Sequence, residues 1–116
     1  MTMNELLRRY YYFVKTSPCL ACGKPPPSEV AHISIVASEK LPGRFLPRGH
    51  KGYAAYGAIP LCAQCHRLDK DAIHIHNEEE WLECNIKGGK AYAIGWALRT
   101  LIEVAEELIL DNCADV

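Results

Sequence analysis

The sequence predicts a small α+β domain, in which two short strands and a helix are held by a metal ion and flanked by an N-terminal helix and a long C-terminal helix. Two Cys-x-x-Cys pairs, β-branched stretches near them and helical periodicity at both ends of the chain lead to this prediction. With 116 residues, the chain suits one domain whose small core would benefit from a metal. We divide residues 1–116 into an N-terminal helix (1–16), a metal-bound core (18–76), C-terminal helices (77–110) and a tail (111–116).

Composition is that of an ordinary soluble protein, with 49% hydrophobic and 23% charged residues. No run of about 18 apolar residues is present, so we expect no transmembrane helix and no membrane partner. Residues 1–15 lack a signal-peptide pattern, which favours a cytoplasmic location. Residues 1–58 carry eight Lys/Arg against three Asp/Glu, and residues 59–116 carry five against eleven. A basic half is compatible with a nucleic-acid face, although an uneven scatter of charges explains it equally.

The first half of the chain predicts one helix and two strands. Residues 2–15 form a helix because apolar side chains recur every three or four positions, and Pro18 follows its end. Residues 29–36 are rich in β-branched side chains and predict a strand, and residues 57–61 predict a second strand whose Pro60 suits a sheet edge. Residues 38–53, punctuated by Gly and Pro, predict a long loop between them.

The second half is predicted to be mostly helical. A helix is expected over residues 64–70, and the alternation in residues 73–76 predicts an extended segment with both histidines on one side. Asn77 is expected to cap a further helix, which Gly88 and Gly89 end. Residues 90–110 predict a helix of about 30 Å, which is long for so small a domain. A homodimer through this helix is therefore one expectation, and packing on the core of the same chain is the alternative.

The two cysteine pairs predict one structural zinc site. Cys19 and Cys22 are separated from Cys62 and Cys65 by residues 23–61, and each pair can chelate one ion from a single turn. Thiols stay reduced in the cytosol, which favours zinc over disulfides there. Four thiolates complete a tetrahedral shell and leave no open position for a substrate, so the zinc would be structural. The other cysteines, Cys84 and Cys113, are predicted to be ordinary thiols.

The order of three short motifs along the chain resembles that of a known family. Cys-x2-Cys, then Ala31-His32-Ile33, then Ile59-Pro60-Leu61-Cys62-x2-Cys65-His66, resembles the HNH endonucleases, and most closely the small phage-type HNH proteins with an additional four-cysteine zinc. The resemblance covers about residues 18–76. It implies a ββα-metal finger around one divalent ion, metal-dependent hydrolysis of phosphodiester bonds in DNA, and a location in the cytoplasm of a bacterial or phage-infected cell.

The resemblance also implies roles for individual residues. His32 matches the general base that activates water, and His66 matches a ligand of the catalytic ion, Mg²⁺ or another divalent cation. Because the zinc would hold the strands and the helix together at one end, the two imidazoles are expected to face each other. A neutral imidazole suits both tasks near pH 7. A second ligand is expected from His74, with Asp69 and His76 as alternatives. Phosphate contacts of the DNA partner are expected from basic residues of the loop and of the last helix of the finger: Arg44, Arg48, Lys51 and Arg67.

The chain departs from the family pattern at three places. Ala31 replaces an acidic metal ligand, the middle Asn or His falls near Tyr56 or Gly57, and Lys70 stands where a second metal-binding histidine often follows. In a straight helix, His74 would lie about 12 Å along the axis from the preceding histidine, so it can join the site only if the chain turns back.

These departures motivate two alternatives to an active nuclease. One is a catalytically degenerate HNH module that binds nucleic acid or a protein partner without cleaving. The other is a purely structural zinc protein that assembles through its C-terminal helix. The first retains nucleic-acid or protein binding when the histidines are replaced, and the second requires an oligomer.

Overall fold

Over residues 3–33 and 57–114, which the computed structural model describes, three α-helices surround a two-stranded antiparallel sheet. The predicted strand residues 34–36, the predicted loop 38–53 and Tyr56 lie outside the described residues. So do the proposed phosphate contacts Arg44, Arg48 and Lys51. The elements are α1 (Met3–Lys15), β1 (Glu29–His32), β2 (Ala58–Leu61), a π-helical turn (Gln64–Leu68), a 3-10 turn (Ile73–Ile75), α2 (Glu78–Asn85) and α3 (Gly89–Ala114).

The predicted N-terminal helix is confirmed as α1, and it covers one face of the sheet. Its apolar residues Tyr10 and Val14 are fully buried and pack with Ala58 of β2. The Tyr10 hydroxyl donates a 2.6 Å hydrogen bond to the Ala58 carbonyl, and burial raises the pKa of this phenol. Helix and sheet are therefore joined by both apolar contact and a buried hydrogen bond.

The register of the two strands assigns their residues to two faces. Glu29 pairs with Leu61 and His32 pairs with Ala58. Because side chains alternate along a strand, residues 29, 31, 33, 59 and 61 share the face toward the main core, and residues 30, 32, 58 and 60 share the face toward α1. Pro60 fits this register because its backbone groups face away from β1, so the pairing needs no N–H there, and its carbonyl accepts a 2.9 Å bond from the Leu20 amide.

The segment after β2 differs from its prediction at two places. The helix predicted over residues 64–70 is a single turn that ends at Leu68, since Asp69 is extended with φ −79° and ψ 152°. The segment predicted as extended over residues 73–76 contains a 3-10 turn instead. The Trp81 indole donates a 2.6 Å bond to the Asp71 carbonyl, and Ile73 is buried in the core. These tertiary contacts prevail over the two-residue alternation of the sequence.

The two C-terminal helices are confirmed. Asn77 caps α2 as predicted, with its side-chain oxygen accepting a 3.1 Å bond from the Glu80 amide. Gly88 and Gly89 separate the helices with φ of 91° and 66°, values that residues with a Cβ rarely adopt. α3 continues to Ala114, four residues into the predicted tail, and its 26 residues span about 39 Å. Within the described residues, no helix combines the length and apolar character that crossing a membrane requires.

Replacing Tyr10 with Phe should lower the free energy of unfolding by about 1–2 kcal/mol, because the buried Ala58 carbonyl loses its donor. Urea denaturation followed by circular dichroism measures this change. Tyr12→Phe is the matched control, since Tyr12 lies on the same helix and is 69% exposed. Equal stability of both variants would contradict the buried hydrogen bond.

Candidate functional site

The four cysteines come together at one point between the first loop and the end of β2. One ligand atom of each lies within 4.8 Å of the others, and the Cys22 and Cys62 sulfurs are 3.6 Å apart. A tetrahedral zinc with bonds of about 2.3 Å requires sulfurs about 3.8 Å apart, so the spacing suits this ion. Among the described residues, no other group of three or more Cys, His, Asp or Glu meets the same distance criterion.

Backbone geometry builds the first half of this cluster. The Gly23 amide donates a 2.9 Å bond to the Cys19 carbonyl, and Gly23 has φ 76°. The Cys22 amide lies 3.5 Å from the Cys19 sulfur. The Leu20 amide, bonded to the Pro60 carbonyl, fixes the loop against β2 immediately before Cys62. The two cysteine pairs are therefore held together by hydrogen bonds in addition to any metal.

The electrostatics of the cluster favour a bound dication. Burial opposes ionisation of Cys19, but backbone N–H groups of Cys22, Cys62 and Ala21 outweigh it and lower the pKa of this thiol to about 7. Burial and then the neighbouring sulfurs raise the pKa of Cys65. A thiolate at one position therefore disfavours thiolates at the others, and a divalent cation removes that penalty. The donor set and the spacing fit a structural zinc.

A second group of polar side chains lies directly after the last cysteine. Nδ1 of His66 is 2.8 Å from a carboxylate oxygen of Glu29, and Arg67 bonds both Glu29 oxygens, at 3.1 Å from Nε and 2.9 Å from Nη2. Arg67 and then His66 lower the pKa of Glu29, so this carboxylate is ionised near neutral pH. The carboxylate accepts the Nδ1 proton of a neutral His66, which leaves Nε2 as the nitrogen with a lone pair.

The chain reversal after Leu68 brings a second imidazole to this group. The rings of His66 and His74 lie edge to face with centroids 4.3 Å apart. A straight helix would have kept the two rings apart, but the helix ends before Lys70 and the chain turns back. The alternatives make other contacts: Nε2 of His76 is 3.3 Å from the Lys70 carbonyl, and Asp69 accepts a 3.3 Å bond from the Asp71 amide.

His32 is not brought to His66. Its Nε2 is 2.8 Å from the Tyr11 hydroxyl of α1, and the two rings lie edge to face. His32 thus belongs to the sheet face that packs on α1, whereas Glu29 and its partner His66 belong to the other face. The neighbouring Ala31 is 1% exposed within the main core.

Two residues of these groups, Glu29 and Tyr11, were not predicted from the sequence. For Glu29 a signal was present, because it stands two residues before Ala31 and a two-residue step returns to the same face of a strand. Glu29 therefore lies one pleat away from Ala31 on the same face of the strand. For Tyr11 no local signal exists, since its contact with His32 joins residues 21 positions apart.

Comparisons of the chain with protein-family models, with curated proteins and with solved structures gave no match. Inference about function therefore starts from the cysteine cluster and from the group formed by Glu29, His66 and His74. We call this second group the histidine site.

The purified chain should contain one zinc per molecule, and Cys22→Ser should abolish stoichiometric binding. Metal binding to such sites contributes on the order of 10 kcal/mol, so a chelator should unfold the core around β1 and β2. Metal content by atomic emission and circular dichroism with and without chelator measure both effects. Cys84→Ser is the matched control, since Cys84 is an exposed thiol outside the cluster. Equal metal loss in both variants would contradict the assignment.

Proposed function

We propose that this chain is a metal-dependent endonuclease of the HNH type that hydrolyses phosphodiester bonds in DNA and carries a structural zinc in its four-cysteine site. The observation that carries the proposal is the histidine site, in which a carboxylate orients one imidazole and a second imidazole lies against it. The resemblance of residues 18–76 to HNH proteins supplies the reaction and the substrate class.

The histidine site suits a second, catalytic divalent ion. Glu29 accepts the Nδ1 proton of His66, so Nε2 of that ring has a lone pair to offer, and a carboxylate behind a ligating histidine is the usual arrangement at metal sites. His66 and His74 would hold the ion, and water and phosphate oxygens would complete its shell. Such an ion stabilises the negative charge that develops on phosphate during hydrolysis. Imidazole donors favour Ni²⁺ or Zn²⁺ over Mg²⁺.

His32 is the proposed general base. The hydrogen bond to the Tyr11 hydroxyl orients its ring, and the residue is exposed at the end of β1. A neutral imidazole there can take a proton from water at pH 7. In this proposal, the bound DNA must reach from the histidine site, next to Glu29 at the start of β1, to His32 at its end, about 10 Å along the strand.

A degenerate binding module is the second candidate, and two observations favour it. His32 and His66 occupy opposite faces of the sheet, and Arg67 is already engaged by both oxygens of Glu29. A module of this kind would bind DNA through its basic residues with strong salt dependence and would not cleave it.

Plasmid nicking should require a divalent cation and both histidines of the histidine site. His66→Ala and His74→Ala should each reduce the rate by at least about 100-fold, since each removes a ligand of the ion that stabilises the transition state. His32→Ala should do the same by removing the base. His76→Ala is the control, because that imidazole lies nearby but bonds the Lys70 carbonyl.

All variants are compared at equal zinc content, with Mg²⁺, Mn²⁺ or Ni²⁺ added. Full cleavage by His32→Ala would reject that residue as the base while leaving the metal site in place. DNA binding without cleavage by the unmodified chain in every metal would reject the nuclease and support the binding module.

Glu29→Gln should lower the cleavage rate by about 10–100-fold while leaving the zinc content unchanged, because the amide no longer fixes the protonation of His66. The loss should shrink when the concentration of the added cation is raised, since weaker ion binding is its cause. Glu103→Gln, an exposed position on α3, is the matched control. An equal loss at every cation concentration would contradict the orienting role of Glu29.

A further inference from the structure

The long helix α3 has two apolar faces, of which only one is buried against the rest of the described chain. Its inner face is buried against the rest of the chain: Ala93, Ala97, Thr100, Val104 and Leu108. A second face carries Leu98, Ile102, Ala105 and Ile109, which we call the α3 seam. Leu98, Ile102 and Ile109 are 41%, 57% and 49% exposed, and Ala105 is half-buried. At about 100° per residue, the seam lies roughly 130° around the helix from the inner face.

The spacing of the seam is that of a helix-pairing surface. Its positions follow each other at intervals of four, three and four residues, which is the a/d pattern of a coiled coil. Isoleucine occupies both positions of one type, at 102 and 109, and Leu98 and Ala105 occupy the other. A helix face that contacts only water does not require apolar residues at intervals of three and four. Contiguous exposed apolar surface marks an interaction site.

We propose that the α3 seam pairs with the seam of a second copy of this chain in an antiparallel arrangement. A register centred between Ile102 and Ala105 sets each large Ile102 against the small Ala105 of the partner subunit, and Leu98 against the partner's Ile109. Each facing pair then combines either a large with a small side chain or two side chains of similar size, as an isologous two-fold interface requires. The proposal rests on the seam alone and does not depend on the nuclease.

Charges beside the seam identify a second copy in this orientation as the occupant. Arg99 and Glu106 lie on the same flank of the seam, seven residues apart, and both are exposed. The guanidinium of Arg99 lies 5.6 Å above the Tyr92 ring, and neither residue has an ion-pair partner in the described part of the chain. In the antiparallel register, Arg99 meets Glu106 of the partner subunit, and two-fold symmetry makes this pair twice.

A parallel pair lacks this complementarity. The opposite flank of the seam is formed by Leu101 and Leu108, which pack toward the chain's own core. Parallel helices would oppose Arg99 and Glu106 to these apolar residues and would also align the two helix dipoles unfavourably. The antiparallel orientation avoids both costs.

Sedimentation equilibrium of the zinc-loaded full chain tests whether the α3 seam forms a dimer contact. The unmodified chain should form a dimer, and Ile102→Glu combined with Ile109→Glu should weaken dimerisation by at least about 100-fold, because four carboxylates would enter an apolar contact. Leu110→Glu is the matched control, since Leu110 is more exposed, at 67%, but lies off the seam. Zinc content and circular dichroism of each variant show that the monomer itself is intact.

A charge exchange tests the orientation. Arg99→Glu and Glu106→Arg should each weaken the dimer, and the double variant should restore it, because the exchanged pair meets again only between antiparallel helices. A chain that stays monomeric at every concentration, or a dimer indifferent to the seam substitutions, overturns the proposal. A double variant no stronger than the singles overturns the antiparallel register. Cleavage of DNA by a monomer would leave the nuclease in place and still reject the dimer.

Discussion

The meeting of four thiols at one point is the constraint on which the rest of the structure depends. It joins a loop at residues 19–22 to the end of β2 at residues 62–65. The apolar core around it is small and is made of side chains from both strands and from all segments that follow β2. Burial and the neighbouring sulfurs oppose ionisation of Cys65, so a bound cation would stabilise the cluster and, with it, the core that the cluster anchors.

The strand register places the histidine site directly beside the cysteine cluster. Glu29 pairs with Leu61, the residue immediately before Cys62, so its side chain is set beside the second cysteine pair. His66 follows Cys65 directly, and its amide bonds the Cys62 carbonyl at 2.9 Å. Carboxylate and imidazole therefore meet because one strand pair and one turn are both fixed at the same four sulfurs. A slip of one residue in the register would send Glu29 to the other face of the sheet and separate them.

Much of this could be predicted from the sequence, and the failures have physical causes. The cysteine spacing, the helical periodicity and the Asn77 cap are local signals, and each predicted its element. His32 was expected to face His66, but it lies on the other face of the sheet, because its face depends on the parity of the strand register, which neither composition nor spacing reveals. The turn at Ile73–Ile75 was predicted as extended, because its alternation is local whereas the Trp81 bond and the burial of Ile73 that decide it are tertiary.

The assignment of each residue of β1 to one face of the sheet also limits how a reaction could proceed. Breaking the bond between His32 and Tyr11 would cost only about 1 kcal/mol, which substrate binding easily offsets. Moving His32 to the face of His66 is a different matter, since it requires a one-residue slip that exposes buried Ala31 and unpairs Glu29 from His66. The two histidines are also separated along the strand, because His66 bonds Glu29 at the start of β1, whereas His32 ends the strand about 10 Å further on. A phosphate bound against the histidine site alone would have to obtain its base from the same face of the sheet.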